Sequence, residues 1–231
     1  MKTPWLFVAF DSLRDRFDET IVDMYNLSET GERFGIKINL DAVLNDPGGG
    51  SIWLDRVTRL GRSLFVDLKM WNGKRTMTDI AKMLVDAHVD YFNVWVQADD
   101  QLTGAVKATE GSKTKILGVT VLTHYNDDWC RAYFRRSLEE TVVFLTQRAK
   151  DLGLHGVILP GTCLSAIKDI NLIKAVPGIR AEDLKDDRHK QEVTPEFAAQ
   201  NGADIVVCGS PIMKASDKVS ALRKVLLQLS S

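Results

Sequence analysis

The sequence predicts a closed barrel of eight parallel strands with helices between them, the (β/α)8 TIM barrel of the α/β class. Three observations point to it. Eight strand-like segments can be counted, and most are followed by a helical pattern. The 231 residues show no linker and no internal repeat, so residues 1–231 read as one domain with a sizeable core. The glycine fingerprint of a dinucleotide-binding sheet is missing, which favours a closed barrel over an open doubly wound sheet.

The first strand is the apolar run 5–10, ending in Asp11. Continuous apolar runs suit parallel strands buried on both faces. Ser12 can cap a helix carrying Leu13, Phe17, Ile21 and Met24 on one face. A polar linker then leads to a second strand, 35–38, with Lys37 inside it. A lysine in so short a strand either snorkels at an edge or aims its charge into a site. Asp46-Pro47-Gly48 opens a turn, and Ser51 a helix through Ile52, Leu54, Val57 and Leu60. The three glycines 48–50 lack the spacing of a phosphate loop.

The central stretch is 63–76, SLFVDLKMWNGKRT. It starts as a third strand at Leu64, Phe65 and Val66. Side chains alternate along a strand, so Asp67 and Lys69 project to one face. A carboxylate and an ammonium at the end of an apolar strand are costly to bury unless they pair. Asn72, Gly73 and Lys74 read as a loop, and Thr76 as the cap of a helix through Ile80, Met83, Leu84 and Ala87.

Strand four is 91–96, followed by a weak helical pattern over 98–108. Strand five is 116–122, followed by Thr123, His124, Tyr125 and Asn126. A long helix carries Leu138, Val142, Leu145, Ala149 and Leu152. Strand six, 155–159, is closed by Pro160-Gly161, and a short helix follows over 164–170. Strand seven, 172–176, is closed by Pro177-Gly178. Residues 180–192 are charged and poor in hydrophobes, the composition of a surface loop or lid. Thr194-Pro195 starts a helix that Gly202 ends. Strand eight is 205–208, then Gly209-Ser210-Pro211-Ile212 and a last helix through Val219, Leu222, Val225, Leu226 and Leu229.

Composition excludes several classes. A net charge of −1 gives no reason to expect nucleic acid or an anionic membrane as partner. No apolar run approaches the ~20 residues of a membrane span. The first apolar run meets Asp11 too early for a signal peptide. Cys130, Cys163 and Cys208 are far apart and odd in number, which suits reduced thiols in the cytoplasm, and no metal spacing appears among them. His88 and His155 read as structural or solvated.

In such barrels the active site lies at the C-terminal ends of the strands. Asp11, Lys37, Asp67, Lys69, Thr123 and His124 stand at those ends, with glycine loops after strands seven and eight. Two aspartates and two lysines converging on one mouth perturb each other strongly. Glycine loops at those two positions suit phosphate, whose oxygens take backbone N–H groups.

These residues resemble orotidine 5′-phosphate decarboxylases over residues 5–228. The matching pieces, in order, are Phe10-Asp11, Gly35-Ile36-Lys37, DLK at 67–69 against the family's DxKxxD signature, VTVLT at 119–123, PGIR at 177–180, VTPEFAAQNGAD at 193–204, and Gly209 with Pro211-Ile212. The resemblance implies decarboxylation of orotidine 5′-monophosphate to UMP, without cofactor or metal, in a homodimer with sites at its interface. It implies that Lys69 protonates the carbon left behind and that Asp67 sits against the substrate carboxylate. Lys37 and Asp11 would bind ribose hydroxyls, Thr123 the pyrimidine, and Thr76 the neighbouring subunit's ribose. Pro177, Gly178, Arg180 and Gly209 would surround the phosphate.

Four positions depart from the family. Asn72 replaces the signature's second aspartate and cannot carry its charge. His189 stands at the lid glutamine, and Trp95 where a histidine is usual. Ser210 replaces the arginine that grips the phosphate; Arg180, Arg188 and Lys190 are the candidates to compensate. Two other readings stay open. One is a metal-dependent phosphosugar decarboxylase or lyase of the same superfamily, though those relatives carry a glutamate where Lys37 stands. The other is a catalytically silent nucleotide-binding barrel. A Schiff-base role for Lys69 is disfavoured, because Asp67 keeps the amine charged.

Overall fold

The computed structural model describes residues 2–11, 17–40, 51–180 and 191–231. Eight parallel strands close on themselves in sequence order: β1 (Trp5–Phe10), β2 (Gly35–Asn39), β3 (Leu64–Met70), β4 (Tyr91–Trp95), β5 (Lys115–Val119), β6 (Gly156–Ile158), β7 (Ile173–Val176) and β8 (Ile205–Cys208). The ring shuts where β8 pairs with β1, Phe7 opposite Val207. The expected (β/α)8 architecture is therefore the one observed.

Alternation along the strands divides the core in two. Leu6, Val8 and Phe10 of β1 point outward against the helices; Phe7 and Ala9 point into the barrel. The outer layer takes most of the apolar surface, including Met77, Ala81 and Leu84 of the helix after β3. The inner layer has an aromatic floor. Phe7, Phe65 and Tyr91 meet edge to face, with centroids 5.6–6.4 Å apart. Phe7 lies opposite Gly35, and its ring occupies the space a β-carbon there would need. One layer above, Ala9, Lys37, Asp67 and Asn93 line the same interior.

The connecting helices are α1 (Phe17–Ser28), α2 (Ser51–Thr58), α3 (Lys74–Asp86), α4 (Thr103–Thr109), α5 (Asp127–Phe134), α6 (Leu138–Asp151), α7 (Pro195–Gln200), α8 (Ser210–Met213) and α9 (Lys218–Leu229). Local chemistry sets several starts. Ser137 and Glu140 form a capping box on α6. Thr194 Oγ1 accepts the N–H of Phe197, with Pro195 in the first turn of α7.

Four expectations change. Gly73, not Thr76, caps α3, and Thr76 lies inside its first turn; the cap has no side-chain bond, so sequence patterning had nothing to mark it. The weak pattern over 98–108 is a 3-10 segment, Val96–Leu102, running into α4. The short helix expected near 164–170 is two 3-10 turns, Gly161–Cys163 and Ser165–Ile167. A separate helix, α5, precedes α6, capped by Asn126 on Trp129 N–H. Ser12, Leu13 and the turn at 46–50 lie outside the described residues. Among the described residues, no helix is long and apolar enough to cross a membrane.

Candidate active site

A cavity opens at the C-terminal ends of the strands. Its lining includes Asp11, Lys37, Asp67, Lys69, Thr123, His124, Pro177, Gly178, Arg180, Gly209 and Ser210, all expected from sequence. Four carry an alternating chain of charges. Lys37 Nζ lies 3.0 Å from Asp11 Oδ1 and 3.1 Å from Asp67 Oδ2. Lys69 Nζ lies 2.6 Å from Asp67 Oδ1. The bury-or-pair expectation holds: the Lys37 and Asp67 side chains are 6% and 11% exposed and fully partnered.

Burial alone would push the Asp67 carboxyl up. The charges of Lys37 and Lys69, with hydrogen bonds from Lys69 and Asn93, outweigh it and hold the group well below the usual carboxylate range. Lys37 balances the same way: burial disfavours its charge, and the Asp67 and Asp11 carboxylates more than restore it, so its ammonium is held above its ordinary value. Lys37 also donates to Asn39 Oδ1. An ammonium has three donors, and Asp11, Asn39 and Asp67 take all three.

Plain strand alternation is not what brings Lys69 to Asp67. Val66 pairs with Phe92 and Met70 with Val94, so residues 67–69 of β3 bulge opposite Asn93 alone. Lys69 takes φ +46°, a left-handed conformation rare for a lysine. Its backbone N–H donates to Asn93 Oδ1 (2.6 Å), and Asn93 Nδ2 donates to Asp67 Oδ1 (2.7 Å).

Asn39 and Asn93 were not singled out from sequence. The signal was present in both: an amide in a short strand, at an inward position. Asn93 sits midway in Tyr91-Phe92-Asn93-Val94-Trp95, alternating with two inward aromatics. Lys37, the analogous anomaly in β2, resolves as a charge aimed into the site.

The opposite wall is apolar and backbone-rich. Thr123 is buried and His124 exposed at the rim. Gly178 has φ +74°, and a β-carbon there would lie against Thr123. Arg180 reaches the cavity wall, where its Nε pairs with the Glu192 carboxylate; both side chains are largely buried, and the Arg180 N–H donates to Val193 O (3.0 Å). Beneath this loop the Cys208 thiol points at Ile179 O. The loop after β8 is close-fitted: a β-carbon on Gly209 would come 3.2 Å from that of Ala9.

Among the described residues, two expected ones are not in the cavity wall. Asn72 is exposed, its side-chain oxygen accepting the N–H of Gly73. Thr76 is half-buried in the first turn of α3. His189, with Arg188 and Lys190, lies outside the described residues. Trp95, at the C-terminal end of β4, packs against the inner apolar cluster, while Trp71 is exposed. His155 is structural: its Nδ1 accepts the N–H of Ile116 at the start of β5.

A family model described as Orotidine 5'-phosphate decarboxylase / HUMPS matches residues 4–225. The chain belongs to this family. Among curated members, the orotidine 5′-phosphate decarboxylase of Methylacidiphilum infernorum is 33% identical over 188 residues, 79% of this chain and 82% of the relative. That of Carboxydothermus hydrogenoformans is 32% identical, over 76% and 78% of the two chains. Solved structures of the family share the fold at lower identity. The Lactobacillus acidophilus decarboxylase superposes with a TM-score of 0.80 at 24% identity, over 100% of both chains. The Methanocaldococcus jannaschii decarboxylase, complexed with the inhibitor BMP, gives 0.77 at 18%, again over 100% of both chains.

Proposed function

We propose that this chain decarboxylates orotidine 5′-monophosphate to UMP in pyrimidine biosynthesis, with its own side chains supplying the chemistry. The observation that carries the reading is the buried chain Asp11–Lys37–Asp67–Lys69 at the barrel mouth. The family membership and the decarboxylase names of the relatives supply the substrate.

The geometry suits the reaction. A substrate carboxylate set against Asp67 meets a carboxylate held ionised, and release of CO2 removes that repulsion. The C–C bond breaks with its electron pair left on the ring carbon. Lys69 donates the proton that forms the new C–H bond and is recharged from water. A fixed ammonium stabilises the developing carbanion better than mobile water, because it needs no reorganisation. Lys37 and Asp11 bind ribose hydroxyls, Thr123 contacts the pyrimidine, and the 177–180 and 209–211 loops receive the phosphate. His124 binds the substrate from the rim, and His189, aligned with the family's lid glutamine, is a further substrate-binding candidate. The protein works as a cytoplasmic homodimer, in which Asn72 and Thr76 serve the neighbouring subunit's site. Their positions outside this chain's own cavity support that placement.

The test is loss of orotidylate absorbance with purified enzyme. Turnover that disappears in Lys69→Ala supports the reading. A folded protein that shows no turnover at high enzyme concentration overturns it. One observation favours a second reading, a nucleotide-binding barrel without catalysis: Ser210 stands where the family has an arginine, and Arg180 is already joined to Glu192. UMP binding by calorimetry with orotidylate left intact would select it. The metal-dependent alternative calls for an acidic residue at position 37, where this chain places a lysine bonded to two aspartates.

A further inference from the structure

We infer that Asn93 is a positioning residue for the proton donor, its side-chain amide holding the Lys69 backbone directly and the Lys69 ammonium through the Asp67 carboxylate. The inference rests on the decarboxylase reading of the same site.

The bulge in β3 creates the need. Three residues, 67–69, face one residue of β4, so the backbone of Lys69 has lost its regular place in the ladder. An N–H buried without a partner costs about 1–3 kcal/mol. The Asn93 side chain, with no exposed surface, supplies the partner through Oδ1. Its Nδ2 is then directed at Asp67 Oδ1, the same oxygen that receives Lys69 Nζ. The bonds close a ring: Lys69 backbone, Asn93 amide, Asp67 carboxylate, Lys69 ammonium. Both ends of Lys69 are thereby fixed while its backbone sits at φ +46°. Left-handed backbone in a non-glycine residue persists only when its surroundings hold it.

An amide is the side chain this position needs. The oxygen must accept from an N–H, and the nitrogen must donate to a carboxylate. Leucine would satisfy neither. Aspartate would accept the N–H but set a second carboxylate against Asp67.

The test is steady-state decarboxylation by Asn93→Ala and Asn93→Asp, with crystal structures of both ligand-free variants. In Asn93→Ala we expect kcat to fall about 100-fold with KM within about threefold, as for a displaced group acting in the transition state. Asn93→Asp should fall further. The variant structures should show Lys69 out of its left-handed φ or Nζ away from Asp67. A kcat within about threefold of wild type, or a rise in KM alone, overturns the inference. So does an unmoved Lys69 in either crystal structure. Should Asn93→Ala not fold, Asn93→Asp carries the test, since it keeps the volume and the acceptor. If wild-type enzyme does not consume orotidylate, the decarboxylase reading fails, and the crystal structures still decide whether Asn93 holds Lys69.

Discussion

Lys37→Met separates the electrostatics of the site from its packing. Methionine keeps the length and most of the volume of the lysine and removes its charge. Lys37 and Asp67 are both nearly enclosed. Removing one partner of a buried ion pair costs about 3–5 kcal/mol, because the other charge is left uncompensated. Here Lys69 and Asn93 remain on Asp67, so the lower part applies, about 3–4 kcal/mol. For a chain of this size that lowers the midpoint of thermal unfolding by about 5–15 °C. The pH dependence identifies the cause. Asp67 titrates below its ordinary value of 3.8 in the folded protein, so its ionisation stabilises the fold above that value, and this is lost as pH falls through the folded value. In the variant the carboxyl rises and takes its proton earlier. The gap between wild type and variant should therefore be widest near pH 7 and narrow by about pH 3. Lys37 itself titrates above its ordinary 10.5, so its contribution is present below that value and lost only in strong alkali. Calorimetric scans across this range measure the gap. A variant as stable as wild type at neutral pH, or a gap that does not change between pH 7 and 3, would refute the electrostatic account.

Other outcomes follow from single contacts. Lys69→Ala should abolish decarboxylation while UMP affinity by calorimetry stays within about tenfold, since the lysine acts mainly in the transition state. Ser210→Arg should tighten UMP by about tenfold or more, the scale of a charge-assisted bond to phosphate; weaker binding would mean the loop is arranged for another group. Gly35→Ala would set a β-carbon 2.4 Å from Phe7 Cε1 and 2.9 Å from Ser63 O, overpacking the barrel floor by about 1–3 kcal/mol, read as a lower unfolding midpoint. Burial pushes the Cys163 thiol up to about 11 and the Cys208 thiol up to about 12. Cys130 is also buried and raised. Native protein at pH 8 should therefore react slowly with a thiol reagent, and denatured protein should release all three thiols promptly.

The barrel was legible because parallel strands buried on both faces announce themselves as apolar runs. The caps at Ser137 and Thr194 follow rules tied to side chains, but only Thr194 was singled out. Gly73 caps α3 through backbone geometry alone and could not be found that way. At the site, Asp67 and Lys69 were found by a two-residue spacing that assumes a regular strand. The pairing is correct, but a bulge produces it. Bulges depend on what the neighbouring strand offers, here an amide from a residue 24 positions away. Likewise the ion pair of Arg180 with Glu192 joins the two flanks of one loop, and no local pattern marks it.

Two lysines share the Asp67 carboxylate, yet only one suits the acid's role in the proposed reaction. Lys37 is enclosed, and its three donors end on Asp11, Asn39 and Asp67. Giving up its proton would leave two carboxylates facing a neutral amine in a nearly dry position. Lys69 has 39% of its side chain exposed and lines the cavity, with its ammonium directed to Asp67. In the proposed decarboxylation, negative charge develops in that cavity as CO2 leaves, and Lys69 can turn a remaining donor towards it without breaking its bond to Asp67. Lys37 meanwhile keeps Asp67 ionised through the proton transfer. In the proposed reaction the inner lysine therefore sets the field and the outer one moves the proton. Exchanging them is not a matter of distance but of how many donors each has left.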